Sequence, residues 1–418
     1  MNIIIDKLVF GGQALGNMSD GRKVFVWNAL PGEEVEINVL KKKKNMMEAI
    51  ATKIIKPSPN RIPATEAHFL SCSPWQILSA EAENIEKINV AKEVFQKIGG
   101  FELPADIEIA GDNNLYQYRN KIEYSFWEED GKVFPAFYDR GAHYRHPIDL
   151  CNLASKEINT TAQLILDWIN QSDWPLRAFK TMIVRSNLKG ETVAAIFIKD
   201  RVNLTSPLQL QDKFIGLQVY YSDPRCPASR PDELLYSKGQ DYLIENIKGV
   251  DLKYGLLSFF QVNIPIFTQA LDDIEKQIPA NLNLIDLYSG VGSISLPLKR
   301  PTTLVEINDE AVDYANDNIE LNSLTDCQAI LKPAENATEV ITNDKLLIVD
   351  PPRAGMHDDV VDKILEAQPP QIIYLSCDLA TQARDIAKLL PTYKVKFAKL
   401  YNFFPRTPHI ESLIILTK

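Results

Sequence analysis

The chain has 418 residues, 45% of them hydrophobic and 24% charged, with a formal net charge of −10 and a pI of about 5.2. That length calls for two or three domains, and the composition is that of a soluble globular protein rather than a fibrous or disordered one. No apolar run approaches the roughly 18–20 residues that span a bilayer. The Met1–Lys7 start is charged too soon for a secretory signal. The expectation is therefore a cytoplasmic protein without a membrane partner.

Five cysteines, Cys72, Cys151, Cys226, Cys327 and Cys377, are odd in number and widely spaced, with no Cys-x-x-Cys. This pattern suits reduced thiols better than a disulfide framework. The only close metal-type cluster in the sequence is His143 and His146 with Cys151, and no metal is expected there. The acidic balance argues against general nucleic-acid affinity, but the charge is uneven. Residues 1–63 carry a net +4, and the rest of the chain −14. Lys41–Lys44 reads either as a solvated hairpin tip or as a phosphate-contacting patch.

In chain order, residues 1–57 read as short strands. Val24–Trp27, the alternating Glu34–Val39, and Ala49–Ala51 with Ile54–Ile55 are the candidates, punctuated by Gly11, Gly12, Gly16, Gly21 and Gly32. Several strands in so short a span predict a small β-barrel of a kind that often carries single-stranded RNA. Pro57–Pro63 reads as an extended linker. Apolar spacing from Ile85 to Ile98 predicts a helix over residues 81–99, ended by Gly99-Gly100. Tyr118–Trp127 interleaves bases and aromatics, as a packed strand or an RNA-facing surface would. Residues 58–255 otherwise read as a mixed α+β domain.

From about residue 282 strands alternate with helices. Leu282–Leu287, Thr303–Ile307, Ala329–Leu331, Lys345–Val349, Gln371–Leu375, Lys394–Leu400 and Ile410–Leu416 are predicted strands of a doubly wound, mostly parallel α/β sheet. Such sheets bind ligands at the carboxyl ends of their strands. Leu284–Leu287 runs into Tyr288-Ser289-Gly290-Val291-Gly292-Ser293, read as strand, glycine turn and helix start. Glu306, at the end of the next strand, can accept hydrogen bonds from both hydroxyls of a ribose. The turn lacks the third glycine of the dinucleotide fingerprint, so S-adenosylmethionine fits it better. The alternative is a tight structural turn beside an exposed Glu. Glu335-Asn336 could meet the adenine edge, and Pro351-Pro352 stiffens the chain after Asp350.

Cys377 and Glu411 complete the chemistry. C5 of a pyrimidine is a poor nucleophile until a thiolate adds to C6, and the methylated product must then lose its C5 proton. That sequence needs one thiolate, one base and one methyl donor in contact. Cys377 follows a strand and Glu411 opens one. Ser376, Asp378, Thr381 and Arg384 around the thiol read as donors able to lower its pKa. Without Glu411, a cysteine in that place would read as inert packing.

Tyr374–Asp385, Asp350–Gly355, Phe404–Ser412 and Ser258–Asn263 closely resemble motifs of the RNA uracil-5-methyltransferase family, a likeness extending over nearly the whole chain. The resemblance implies a Rossmann-like methyltransferase domain over 256–418, a central RNA-recognition domain over 58–255, and a TRAM-like OB barrel over 1–57 that grips RNA. The 81–99 helix could belong with the catalytic domain. Position by position, it implies that Cys377 is the nucleophile and Glu411 the base, with Gln261, Tyr288, Gly290, Gly292, Ser293, Glu306, Asn336 and Asp350 on S-adenosylmethionine. Ser293 is commonly Asn in the family. The target base would be flipped out of the RNA.

Ribosomal members often hold a [4Fe–4S] cluster on four cysteines. Here only Cys72 and Cys151 stand in that region, Cys72 one place out of register, so no cluster is expected. The barrel favours 23S ribosomal RNA as substrate, with transfer RNA as the alternative and a monomer as the expected state. A non-catalytic RNA-binding protein and a small-molecule methyltransferase are the competing classes, and Glu411 fits uracil better than cytosine.

Overall fold

The computed structural model describes all residues except 19, 141–143, 173 and 202–207. Strands β1 (Asn2–Leu8), β2 (Ala14–Asn17), β3 (Lys23–Trp27), β4 (Glu34–Lys42) and β5 (Met46–Lys56) close into a barrel in the order β1-β2-β3-β5-β4. Alternate residues such as Ile3, Ile5, Val24, Val26, Val35 and Ile37 fill its interior, as period-two patterning requires. The first two strands escaped the sequence reading. Lys41–Lys44 lies exposed where β4 turns into β5.

A short turn α1 (Phe69–Cys72) and helix α2 (Ala80–Val94) follow, the latter capped by Ser79 Oγ and running into a π-turn over Phe95–Gly99. Gly100 then takes φ +68° and ends it. The helix was expected, and Val90, Ala91, Val94 and Phe95 of its apolar spacing are buried, but the spacing does not hold at every position. Ile85 and Ile98 are exposed, while Glu83 and Lys87 are fully buried.

Next come β6 (Ile109–Ala110), β7 (Lys121–Glu129), β8 (Lys132–Tyr138), β9 (Arg145–Pro147), α3 (Lys156–Gln171), β10 (Phe179–Ser186), β11 (Thr192–Ile198), β12 (Phe214–Tyr221) and β13 (Glu233–Gly239). Except for β6, these strands make a seven-stranded sheet in the order β13-β12-β11-β10-β7-β8-β9, with α3 packed on it. Ile122, Tyr124 and Phe126 of β7 point into that core, so one face of the aromatic run is packing. A separate hairpin, β14 (Tyr242–Ile247) and β15 (Val250–Gly255), leads onward.

The C-terminal part contains α4 (Ile264–Gln277), β16 (Leu284–Leu287), β17 (Thr302–Glu306), α5 (Asp309–Leu321), β18 (Cys327–Leu331), β19 (Leu346–Val349), α6 (Asp358–Ala367), β20 (Gln371–Ser376), α7 (Leu379–Leu389), β21 (Lys394–Tyr401) and β22 (Glu411–Thr417). These seven strands and β6 form an eight-stranded sheet in the order β18-β17-β16-β19-β20-β22-β21-β6. Its first five strands are parallel, and β22 returns antiparallel against β20. Strand order reverses beside β16, which places a crevice at its carboxyl end.

The helix expected after the glycine turn does not form. Residues 290–295 stay in turns, and only a 3₁₀ turn, Leu296–Leu298, follows. Two glycines with positive φ precede it, and Pro297 has no N–H to give the Ser293 carbonyl.

Candidate active site

Register brings the two catalytic candidates together. Ser376, the last residue of β20, pairs with Ser412 of β22. One step further, at the carboxyl end of β20, Cys377 therefore lies across from Glu411, the first residue of β22. Asp350 follows β19, the other neighbour of β20, so it enters the same crevice. Glu411 is deeply buried and Cys377 partly so.

Electrostatics report the same crowding. Burial, then the negative charges of Glu411 and Asp350, push the Cys377 thiol up to about 12, and only Arg353 pulls it down. Burial and Asp350 hold the Glu411 carboxyl well above the usual carboxylate range. Asp350 rises to about 7 through burial and the nearby Asp286. Asp286, in the middle of β16, is itself pushed up to about 7 by burial, against the opposing pull of Ser295.

This corrects the reading of the polar residues beside the thiol. Asp378 caps α7, accepting from the backbone N–H of Ala380 and Thr381. The Thr381 hydroxyl donates to Asp378 Oδ1, and Ser376 Oγ accepts the Asp378 N–H. Arg384 donates to Asp385 Oδ1 and the Ala354 carbonyl. The first three serve the backbone at the start of α7, and Arg384 ties α7 to the loop after β19. The cation that reaches the thiol is Arg353, which stood in the Asp350–Gly355 motif without an assigned role. These neighbours disfavour the thiolate form of Cys377 in the free protein.

The glycine turn is held by Glu306, whose Oε2 accepts from Gly290 N at 3.0 Å. Its Oε1 accepts from Ile307 N and Asn308 N, both at 2.8 Å. Gly292 takes φ +84°, and a Cβ there would lie 2.6 Å from a Leu296 methyl, so only glycine fits. At Gly290 a side chain would meet nothing within 4 Å, because that position faces the open crevice. Tyr288 has φ +62°, strained for a non-glycine residue, and its hydroxyl accepts the His357 N–H. Ser289 Oγ is buried with no partner among the described residues. Unpaired polar atoms beside a glycine cradle and an acidic acceptor suit a nucleoside-bearing cofactor.

Tyr288 also lines a cleft of about 480 Å³ together with Glu335, Pro352, Gly355, Met356 and Arg384. Asn336 is exposed on the 3₁₀ turn Ala334–Asn336, and its neighbour Glu335 is the residue facing this cleft. Ser293 is partly exposed just past Gly292. Gln261 is buried, and its carbonyl accepts from Asn120 Nδ2 of the central domain. Arg185, fully buried, ties the same segment down by donating to the carbonyls of Gly255 and Ser258.

A group that sequence reading missed positions Glu411. The loop Asn402–Ile410 leads into β22, and Glu83 of α2 accepts from Arg406 N, at 3.0 and 3.1 Å, and from Asn402 Nδ2, at 3.1 Å. Lys87 Nζ lies 3.0 Å from Glu83 and donates to Asn402 Oδ1 at 2.6 Å. Arg406, at φ +65°, donates to the Leu78 carbonyl, and its own carbonyl accepts the Trp75 N–H. Tyr118 and Asn263 hold the carbonyls of Pro405 and Phe403. Residues from three parts of the chain thus clamp one loop.

The doubly wound sheet, the glycine turn with its acidic partner, and the thiol–carboxylate pair define a Rossmann-like methyltransferase. The tRNA (uracil-5-)-methyltransferase family model matches residues 86–418, and the chain belongs to that family. It is thus an S-adenosylmethionine-dependent RNA methyltransferase. An uncharacterized RNA methyltransferase of Porphyromonas gingivalis is 30% identical over 465 residues, covering 99% of each chain. Another, of Bacteroides thetaiotaomicron, is 29% identical over 458 residues, covering 97% of this chain and 98% of its own. Among solved structures, the Pyrococcus abyssi tRNA (uracil-54, C5)-methyltransferase in complex with S-adenosyl-L-homocysteine superimposes with a TM-score of 0.81, at 22% identity and 100% coverage of both chains. No helix among the described residues is long and apolar enough to cross a membrane.

Proposed function

We propose that the chain methylates C5 of a uridine in RNA through a covalent Cys377–C6 adduct. The observation that carries this is the juxtaposition of Cys377 and Glu411 across β20 and β22, beside Asp350. S-adenosylmethionine supplies the electrophilic methyl group, and Gln261, Tyr288, Gly290, Gly292, Ser293, Glu306, Asn336 and Asp350 are the residues that would hold it. The Cys377 thiol loses its proton to solvent at the partly exposed mouth of the crevice and bonds to C6, and the electron pair of the C5–C6 double bond moves onto C5 as an enolate carbon. Once C5 carries the methyl, Glu411 takes the C5 proton, the C5–C6 double bond re-forms and the thiolate leaves. A carboxylate raised by burial and by Asp350 is a stronger base than one in water, which suits it to that proton. The barrel is proposed as the RNA grip, with Lys41–Lys44 at its exposed tip contacting phosphates.

The proposed substrate is 23S ribosomal RNA. A second reading, transfer RNA, is favoured by the full-length likeness to a tRNA (uracil-54, C5)-methyltransferase, which spans the barrel as well. The test is trapping with S-adenosylmethionine and 5-fluorouridine-substituted ribosomal or transfer RNA in separate reactions. Fluorine at C5 cannot leave as a proton, so the adduct persists on a denaturing gel. A shifted band with one RNA, absent in Cys377→Ala, supports the mechanism and selects the substrate. No band with either RNA overturns the covalent route.

A further inference from the structure

Away from the methylation site, four side chains distant in sequence converge. Glu66 and His68 stand just before α1, Cys72 is its last residue, and Cys151 lies between β9 and α3. One donor atom from each falls within 4.8 Å of all the others. Glu66, His68 and Cys151 are buried and Cys72 nearly so. Sequence proximity had grouped Cys151 with His143 and His146. His143 lies outside the described residues, and His146 instead pairs with Asp139 at 2.6 Å.

We propose that Glu66, His68, Cys72 and Cys151 form a closed, four-ligand site for a single divalent cation of the zinc type. The donor chemistry is one carboxylate oxygen, one imidazole nitrogen and two sulfurs, a set that zinc takes in tetrahedral array. Bonds of about 2.0–2.3 Å place tetrahedral donors roughly 3.3–3.8 Å apart, so the group needs only a small contraction around the ion. His68 Nε2 points into the group. It lies 3.2 Å from Glu66 Oε1 and also interacts with Cys151, so its partners are the other members of the group.

The surroundings orient the ligands as outer partners of a metal site do. Asn152 N donates to Glu66 Oε1 at 2.6 Å and Gln76 Nε2 to Glu66 Oε2 at 2.6 Å. Gln76 is in turn fixed by Thr65. The Cys151 N–H donates to the Tyr124 hydroxyl, and the Cys151 carbonyl accepts from Asn159. Two thiolates and one carboxylate leave a net charge of −1 around a divalent ion. Arg119 and Arg140 stand close enough to Cys72 to offset it.

The four-iron cluster found in ribosomal relatives does not fit here. Two of the four donors are not thiolates, and the group spans the size of one ion rather than a cubane of four. Held by one cation, the Glu66–Cys72 segment is pinned to the central sheet. Three residues beyond Cys72 stands Trp75, whose indole donates to the Gly12 carbonyl in the barrel. The ion would thereby fix the barrel's seat on the rest of the molecule, independently of the methylation chemistry.

The test is elemental analysis of full-length protein expressed with added zinc and purified under reducing conditions. About one zinc per chain and no acid-labile sulfide is expected. Cobalt exchanged into the site should give the absorption of a tetrahedral thiolate complex. Glu66→Gln, which keeps the shape, should weaken zinc affinity at least about 10-fold. A strong chelator should lower the melting temperature of the wild type more than that of the variant. Less than about one-tenth of a metal per chain in protein with free thiols, about four irons with sulfide, or a Cys72–Cys151 disulfide in fresh protein would each overturn the proposal.

Discussion

Replacing Glu83 by alanine tests the clamp on the Glu411 loop. Glu83 and Lys87 are both fully buried, and Lys87's ammonium is pressed toward neutrality by that burial. Removing the carboxylate strands the Lys87 charge, leaves Arg406 N without its acceptor and leaves Asn402 Nδ2 only the Asn84 side chain. Breaking a buried pair from one side costs about 3–5 kcal/mol. At about 2–4 °C per kcal/mol for a unit of this size, the melting temperature should fall by roughly 6–20 °C. Lys87→Met leaves Glu83 facing Arg406 and the loop, and should cost only about 1–2 kcal/mol, near the worth of the hydrogen bonds lost. The assay is urea unfolding of both variants, paired with S-adenosylmethionine binding and turnover below the melting range. For Glu83→Ala, kcat should drop while cofactor affinity holds, because the loop places Glu411 and not the glycine turn. A loss under about 1 kcal/mol, or a larger loss for Lys87→Met, would refute the clamp.

Cys377→Ala should abolish turnover and keep cofactor binding, which calorimetry would show; loss of binding would place the thiol in the cofactor site instead. Glu411→Gln should stall after methyl transfer and accumulate a protein–RNA adduct on denaturing gels, whereas rapid release of methylated RNA would remove Glu411 from its role. The thiol, pushed up to about 12 partly by Glu411, should be alkylated by iodoacetamide at a rate that climbs with pH, and faster in Glu411→Gln than in wild type, as read from the Cys377 peptide by mass spectrometry. Asp286, raised to about 7, binds a proton in the folded chain that the unfolded chain has already released. Its contribution to stability therefore falls as pH rises from about 4 to 7, by up to about 1.4 kcal/mol per unit. Urea midpoints at pH 5 and pH 7 should differ less in Asp286→Asn than in wild type, and an unchanged difference would count against this assignment.

Much of the C-terminal sheet was legible because buried parallel strands are short apolar runs ending in functional turns. Leu284–Leu287 and Leu346–Val349 announce themselves in this way. Cys377 and Glu411 were legible as types in motifs, but their contact depends on an antiparallel register that no local pattern states. The environment of the thiol was misjudged because Asp378 and Thr381 are equally good as helix caps, and only the structure shows which role they take. Glu83 and Lys87 drew no notice in the sequence, since a buried ion pair has the same spelling as an exposed one. Glu66 and His68 gave no signal at all, because Cys151 is some eighty residues away in the chain.

The bond between α2 and the last loop also sets a timetable for synthesis. Glu83 and Asn402 are 319 residues apart, and Lys87 and Asn402 315. At about 5–20 residues per second, the helix leaves the ribosome roughly 15–65 s before its partners are made. Through that interval two charges meant for the interior wait in water, and α2 has no α7 to pack against. The family match begins at residue 86, beyond Glu83, so a fragment cut at that boundary would hold every motif of the chemistry and lack the residue that seats its base. The base of this active site is seated by β22 on a support laid down more than three hundred residues earlier.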